Sequence, residues 1–321
     1  GSRTGERTHP VSRYVARRVA QSAAVLVGVS VLVFAIMPLV PGDPVRLALG
    51  TRFSQAAYDA LVERAGLDQP LPVQYVNWVL GALQGDLGVS FRSGRTVTSL
   101  ILERLPATVS LAAGAIVVAL LIAIPLGTIS ALRPRKLVDG FATVFSQAGI
   151  SIPDFWMGIM FILIFAGTLG WLPTGGYVGL TEDPVEWARR LVMPAVTIGV
   201  VSGSIMTRFV RSSVLEALGQ DHVRTARAKG MRARDVLSWH VLRNALVPLV
   251  TVGGIQLAYL LSGVVVVEIV FRWPGLGQLA LQAVESRDYP VLQGAVLLFV
   301  VIVVVGLVLR VTGREETPTA L

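Results

Sequence analysis

The sequence contains no cysteine and only two lysines, Lys136 and Lys229, among its 321 residues. The absence of cysteine excludes disulfide bonds and thiolate metal sites. Charge is also scarce: charged residues make up 15% of the chain, whereas a typical soluble domain carries about 25%. This shortage, with a mean hydropathy of +0.67, excludes an ordinary soluble enzyme and a disordered chain.

The missing charges leave five long charge-free runs: Val19–Val40, Leu105–Leu132, Phe155–Thr181, Asn244–Val267 and Tyr289–Leu309. A helix of about 20 apolar residues crosses the hydrocarbon core of a membrane. The strands of a membrane barrel are shorter and alternate in polarity. The runs therefore predict an all-α membrane protein.

The positive charges are unevenly distributed along the chain. Eighteen of the 28 Lys and Arg residues lie within 72 residues, in the segments 1–18, 133–138, 208–243 and 310–321. The other ten lie within the 107 residues of 41–105, 169–190 and 271–290. Cytoplasmic loops carry an excess of Lys and Arg, so we expect both termini in the cytoplasm. The net charge of +8 then reflects membrane orientation, and no nucleic-acid partner is expected.

Six transmembrane helices fit this charge pattern. We expect a tag remnant (Gly1-Ser2) and cytoplasmic tail at 1–13, an uncleaved first span at 14–40 and an extracytoplasmic segment at 41–96. A transmembrane domain at 97–309 contains spans at about 106–132, 139–168, 191–211, 244–270 and 290–309, and a cytoplasmic tail covers 310–321. Two short helices are predicted in the extracytoplasmic segment, near Gln55–Arg64 and Pro72–Gln84. Pro153 and Asp154 predict a kink within the third span.

The longest cytoplasmic loop, 208–243, predicts two short helices that meet at a glycine corner. Asp221 is a candidate N-cap, and a basic helix of about two turns follows it. Gly230 can adopt the left-handed conformation that ends a helix, and a second helix starts near Arg232. This shape suits docking to a partner, and it equally suits a basic loop held on anionic lipid.

The residues of this loop resemble the coupling motif of ABC importer permeases. That motif is written E-A-A, three residues, G, nine residues, I, one residue, L-P. Here Arg224-Thr225-Ala226, Gly230 and His240-Val241-Leu242 occupy the same spacing. Arg224, Thr225 and His240 depart from the usual residues, and Arg243 stands where proline is expected. With these departures the loop resembles that of the first permease (dipeptide-permease-B-like) of dipeptide, oligopeptide and nickel importers.

Other stretches carry the same resemblance from about Tyr14 to Leu309. The matching segments are Leu39–Pro44, Gly85–Gly88, Arg104–Thr108, Ser151–Pro153, Gly170–Pro173, Trp273–Gly277 and Arg287–Pro290. The resemblance implies a type I ABC importer permease fold in the plasma (inner) membrane of a bacterium, with a long extracytoplasmic segment after the first helix.

The resemblance also implies the partners and the substrate class. The expected partners are a second related permease, two ATP-binding subunits or one two-domain ATPase, and an extracytoplasmic binding protein that delivers peptides or a related small solute. The implied ATPase-coupling residues lie in 221–243: Asp221, Arg224, Thr225, Ala226, Ala228, Lys229, Gly230, Leu242 and Arg243.

The chain has no phosphate-binding loop of its own. The pattern G-x-x-x-x-G-K-[ST] is absent, so we expect this chain to bind no cofactor, with ATP and Mg²⁺ held by the partner ATPases. An intramembrane enzyme is disfavoured, because both lysines lie in cytoplasmic loops and the H-E-x-x-H zinc pattern is absent. The main alternative is a secondary transporter or channel that acts without ATPase subunits.

Two carboxylates are candidates for the substrate pathway. Asp154 lies inside a predicted span, where charged residues are costly and commonly functional. It contacts a cationic group of the substrate, or it caps the second half of a broken helix. Glu268 lies near the outer end of the fifth span, and it forms either a gate or an ion pair with Arg272 four residues later. The three histidines are too dispersed along the sequence to predict a metal site.

Overall fold

The computed structural model describes residues 10–39, 42–246 and 264–312. Within these ranges the regular structure is helical, and the one strand-like pairing is an isolated antiparallel bridge between Val89 and Thr96. The all-α prediction is therefore confirmed for the described residues. The chain divides into two compact units, Gly1–Glu103 with Leu279–Leu321, and Arg104–Gln278.

The first unit contains two long apolar helices and a set of short ones. Its helices are α1 (Pro10–Leu39), α2 (Pro44–Leu49), a 3-10 turn (Gly50–Arg52), α3 (Gln55–Ala65), α4 (Leu71–Leu83) and α14 (Tyr289–Thr312). The helix α1 packs along α14. Ser30 of α1 also shares a 2.8 Å hydrogen bond with the hydroxyl of Tyr75 on α4. The segment after α1 is thus fastened to the apolar helices of its own unit.

Local capping residues explain where the short helices begin and end. The Asp43 carboxylate accepts hydrogen bonds from the amides of Val45 and Arg46 at the start of α2. Ser54 accepts one from the amide of Ala57 at the start of α3, and left-handed Gly66 ends that helix. The two helices predicted in this segment are confirmed. The six-residue α2 was not predicted, because it is too short to show a periodic pattern.

The buried carboxylate of Asp288 anchors the loop that leads into the long helix starting at Val97. The hydroxyl of Ser90 donates a 2.5 Å hydrogen bond to Asp288, and the amide of Phe91 donates a 3.1 Å bond to the other carboxylate oxygen. Asp288 immediately precedes α14. The loop is therefore fixed to the start of that helix.

The second unit contains the remaining helices. They are α5 (Val97–Leu132, which starts in the first unit), α6 (Leu137–Ser151), α7 (Asp154–Phe161) with a π-helical continuation (Ile162–Thr168), and α8 (Pro184–Leu218). Next come α9 (Asp221–Ala228), α10 (Ala233–Asp235), a π-helix (Val236–Leu242) and α11 (Arg243–Ala245). The helix α12 (264–270) follows the gap in the described residues, and α13 (Leu276–Glu285) ends in the first unit.

The predicted break in the third span is confirmed as a sharp bend. The helix pair Leu137–Ser151 and Asp154–Thr168 meets at an angle of 100°. Pro153 lies at the break, where it lacks the amide hydrogen that a continuous helix would use. The pair therefore forms either one broken span or a re-entrant segment.

Small residues let the long helices of the second unit approach closely. A Cβ atom at Gly199 of α8 would lie 2.5 Å from Cβ of Val118 on α5. A Cβ atom at Gly149 of α6 would lie 2.0 Å from Oγ of Ser204 on α8. Such contacts are impossible for larger residues. Close packing through small residues is typical of helices in lipid.

The described helices support a multi-pass protein without establishing six spans. Two helices, α5 and α8, are long and apolar enough to cross a membrane, and the bent pair counts as a third if it forms one span. Shorter apolar stretches occupy Ala20–Ala35 and Tyr289–Val305. Most of the predicted fifth span, and the predicted tails at 1–9 and 313–321, lie outside the described residues.

Candidate coupling surface and pathway residues

The helix α9 is amphipathic, and its apolar side is anchored in the second unit. Val223 and Ala226 are buried in a cluster with Val210, Val214 and Ala217 of α8. The same cluster includes Ala119, Ala123 and Ala131 of α5 and Val236, Val241 and Ala245 of the segment after α9. The short helix is thus packed against residues of two long helices, α5 and α8.

The opposite side of α9 is exposed and basic. Of the residues predicted for coupling, Asp221, Arg224, Thr225, Ala228, Lys229, Gly230 and Arg243 are exposed, Leu242 is half-buried and Ala226 is buried. Arg227, Arg232 and Arg234 add to the exposed positive charge. Most of the predicted residues are therefore exposed on or near α9, while Ala226 packs on the buried side of that helix.

The corner after α9 has the predicted backbone conformation. Gly230 has a φ of +78°, in the left-handed region that favours glycine. No neighbouring atom lies within 4 Å of a Cβ built at Gly230. Backbone conformation, and not lack of space, is therefore what requires glycine here.

The start of α9 differs from the prediction. The N-cap is Gln220, Asp221 is the first helical residue, and no side chain caps the helix. The predicted capping role of Asp221 is therefore wrong. Its carboxylate instead lies 3.6 Å from Arg224 in an exposed ion pair, a kind of contact that contributes little to stability.

An ion-pair cluster that we did not predict joins three helices near this surface. Arg211 of α8 donates hydrogen bonds of 2.7 and 2.9 Å to the two carboxylate oxygens of Asp139 on α6. Ser130 of α5 donates a 2.5 Å bond to the same carboxylate, and the amide of Arg135 donates one of 2.9 Å. Asp139 and Arg211 are 72 positions apart, so spacing along the sequence gives no signal for this pair.

Asp154 lies at the bend between α6 and α7. The N-cap of α7 is Pro153, and no side chain caps that helix. Asp154 is partly exposed, and no other described residue forms a hydrogen bond or ion pair with its carboxylate. The capping alternative therefore receives no support from the geometry.

Glu268, by contrast, is enclosed by hydrogen-bond donors. It is fully buried, Thr108 donates a 2.9 Å bond to one carboxylate oxygen, and the amide of Gln278 donates a 2.9 Å bond to the other. A Cβ atom at Gly275 would overlap this carboxylate at 1.7 Å. The ion pair predicted with Arg272 is wrong, because Arg272 is exposed and takes a left-handed conformation with a φ of +50°.

The cluster around Glu268 fixes the loop between α12 and α13. The hydroxyl of Thr108 accepts a 2.8 Å bond from the amide of Leu276, and the buried indole of Trp273 donates a 2.7 Å bond to the carbonyl of Ala107. The loop residues before α13 are therefore held against α5. Among the described residues, no group of three or more His, Asp or Glu side chains is placed to hold a metal ion.

Long apolar helices that pack closely through glycine are typical of a multi-pass membrane protein. Comparison with known proteins assigns it further. Residues 123–312 match the family "Binding-protein-dependent transport system inner membrane component", and residues 11–112 match the N-terminal component of the same systems. The chain belongs to this family of ABC importer permeases, and it is a permease subunit, not itself an enzyme.

Relatives match the chain over nearly its full length. The oligopeptide transport system permease protein AppB of Bacillus subtilis is 40% identical over 299 residues, which cover 92% of this chain and 95% of that protein. A putative peptide transport system permease protein of Brucella abortus is 39% identical over 283 residues, covering 88% and 90%.

A solved structure supports the fold. The chain resembles a chain in the crystal structure of an amino acid ABC transporter with histidines, with a TM-score of 0.53 and 14% identity. The match covers 68% of this chain and 95% of that one. The helical permease fold is therefore shared despite low sequence identity.

Proposed function

We propose that this chain is a peptide-translocating permease subunit of an ATP-driven importer in the inner membrane of a bacterium. Six spans place both termini in the cytoplasm and the segment 41–96 outside. The names of the relatives support the peptide substrate. The density of Lys and Arg in alternating loops supports the orientation.

The observation that carries this proposal is the construction of α9. Its buried Val223 and Ala226 are packed on α8, while its basic side is free. A helix held in this way presents charge to a partner and passes the partner's movement to the spans. Its excess of positive charge predicts an acidic groove on the ATPase.

The family implies ATPase and binding-protein partners. In the proposed complex, this chain pairs with a second related permease, and two ATP-binding subunits or one two-domain ATPase bind ATP and Mg²⁺. An extracytoplasmic binding protein delivers the peptide. This chain itself binds no cofactor.

Asp154 is the proposed pathway contact. Its carboxylate has no partner among the described residues and lies at a 100° bend, so it is available to the amine of a passing peptide. Glu268 is fully buried and accepts hydrogen bonds from Thr108 and the amide of Gln278, so it supports the pathway by holding a loop in place.

The test is mass spectrometry of the proteins that co-purify with the chain from its native host in mild detergent. We expect an ATPase with a phosphate-binding loop and a second permease. Arg224→Glu should reduce ATPase recovery, whereas the exposed outer-segment variant Arg64→Glu should not. A chain that purifies alone, and still transports peptide, would contradict the proposal and favour a secondary transporter or channel.

A further inference from the structure

A groove between α6 and α8 has the chemistry of a site for a phosphate group. It has a volume of about 310 Å³ and is lined by residues of α6 (Ala142, Thr143, Ser146, Gln147) and α8 (Thr207, Arg208, Arg211). The groove lies within the second unit. It shares none of its residues with the predicted coupling or pathway sets.

The hydrogen-bond donors of this groove are only partly used by the protein. Ser146 is 1% exposed, and its buried hydroxyl has no hydrogen-bond partner among the described residues. The hydroxyls of Thr143 and Thr207 donate to backbone carbonyls of their own helices. A buried polar group without a partner is costly, so the Ser146 hydroxyl is available to a hydrogen-bonding group that enters the groove.

The charge of the groove is positive. Arg211 uses its Nε and one terminal nitrogen on Asp139, which balances its charge. Arg208 is exposed and has no ion pair with any described residue. The guanidinium of Arg208 therefore remains available to attract an anion, and the hydroxyl of Ser146 lines the same groove.

The surroundings favour a lipid over a free ion. Exposed apolar side chains of Phe141, Val144 and Phe209 lie next in sequence to groove residues. Exposed Arg133, Arg135 and Lys136 precede α6, and the amide of Arg135 binds Asp139, the ion-pair partner of the groove residue Arg211. Basic pockets between spans on the cytoplasmic side bind anionic lipid headgroups.

We propose that the groove between α6 and α8 binds the phosphate of an anionic phospholipid from the cytoplasmic leaflet. Arg208 and Ser146 donate to the phosphate oxygens, and the flanking apolar residues contact the acyl chains. The bound lipid fills the gap between the two helices beside the Asp139–Arg211 pair. This inference rests on the proposed orientation and is independent of which solute is carried.

The experiment is native mass spectrometry of the purified transporter in an equimolar mixture of phosphatidylglycerol and phosphatidylcholine. The wild type should retain phosphatidylglycerol preferentially. Arg208→Gln should weaken that binding about fivefold, as expected for one basic residue near anionic lipid. Ser146→Ala should weaken it by a smaller factor. Arg64→Gln removes the same charge at an exposed position of the outer segment, outside the groove, and should leave retention unchanged.

Three outcomes would overturn the proposal. Equal retention of both lipids would show that the headgroup charge is not recognised. Equal retention by wild type and Arg208→Gln would place the lipid elsewhere. Binding of inorganic phosphate that depends on Arg208, with no lipid retained, would assign the site to a free anion. Lipid is counted directly, so these results do not depend on transport activity and leave the peptide proposal to its own test.

Discussion

Glu268 is a buried acid whose hydrogen bonds are all made by its own chain. Thr108 and the amide of Gln278 each donate to one of its carboxylate oxygens. Removing an acceptor from a buried site leaves its donors unpaired, and this usually costs more than the hydrogen bonds themselves contributed. The stability of the loop before α13 therefore depends on this one side chain.

We expect Glu268→Ala to destabilise the protein by about 2–4 kcal/mol, since it leaves two donors unpaired and opens a cavity. Glu268→Gln retains an acceptor and the side-chain volume, so its effect should be smaller. The measurement is the thermal unfolding midpoint of the purified protein in detergent. Glu285→Ala, at an exposed position, is the control. A Glu268→Ala variant as stable as this control would contradict the structural role.

Asp154 differs from Glu268, because no residue in the described part of the chain forms a hydrogen bond or ion pair with its carboxylate at the bend. Asp154→Asn keeps the size of the side chain and removes its charge. We expect this variant to fold normally and to raise the peptide concentration needed for half-maximal uptake, with ATPase assembly unchanged. For peptides with a blocked amino terminus, the concentration needed for half-maximal uptake should be the same in the variant and the wild type. Unchanged uptake kinetics with free peptides would remove Asp154 from the pathway.

At the scale of elements, the corner at Gly230 sets the direction in which the chain leaves α9. A non-glycine residue in the left-handed region costs about 1–2 kcal/mol, and a β-branched residue is especially strained there. We expect Gly230→Val to uncouple ATP hydrolysis from peptide uptake while the protein remains in the membrane. Gly140→Val is the control, because Gly140 lies in α6 with nothing within 4 Å of an added Cβ.

The readout is the ratio of peptide transported to ATP hydrolysed in reconstituted vesicles. Gly140→Val should keep the wild-type ratio. If Gly230→Val instead prevents assembly of the complex, the glycine is mainly architectural and the coupling role of the corner is lost.

Local signals in the sequence explain which elements could be predicted. The helices α3 and α4, the break at Pro153 and the corner at Gly230 each depend on residues within a few positions of one another. The contacts of Glu268 with Thr108 and of Arg211 with Asp139 join residues 160 and 72 positions apart. One sequence does not reveal such pairs, and for this reason the nearby Arg272 was one of the two alternatives predicted for Glu268.

At the scale of the whole molecule, the lack of cysteine makes the proposed topology directly testable. Ser93 lies in the predicted outer segment and Ser238 in the coupling segment, and both are exposed. In intact cells stripped of their outer barrier, a membrane-impermeant maleimide should label Ser93→Cys and leave Ser238→Cys unlabelled. Opened membranes should allow both to react. Labelling of Ser238→Cys in sealed cells would contradict a cytoplasmic coupling segment.

The family was predictable because several motifs occur in order along the whole chain, and the comparisons confirm it. The number of spans was a prediction from charge and hydropathy, and the described helices account for only part of it. The fifth predicted span falls largely in residues 247–263, outside the described ranges. The cysteine-labelling experiment therefore tests the predicted membrane topology directly.

The π-helix at Val236–Leu242 gives the proposed coupling segment a way to change length. Each π turn bonds residue i to i+5 and so holds about one residue more than an α turn. If docking converted this stretch to α-helix, the residues beyond it would rotate by about 100° and advance by about 1.5 Å for each residue released. Such a change would displace α11 along a screw path, with a step size set by the backbone itself.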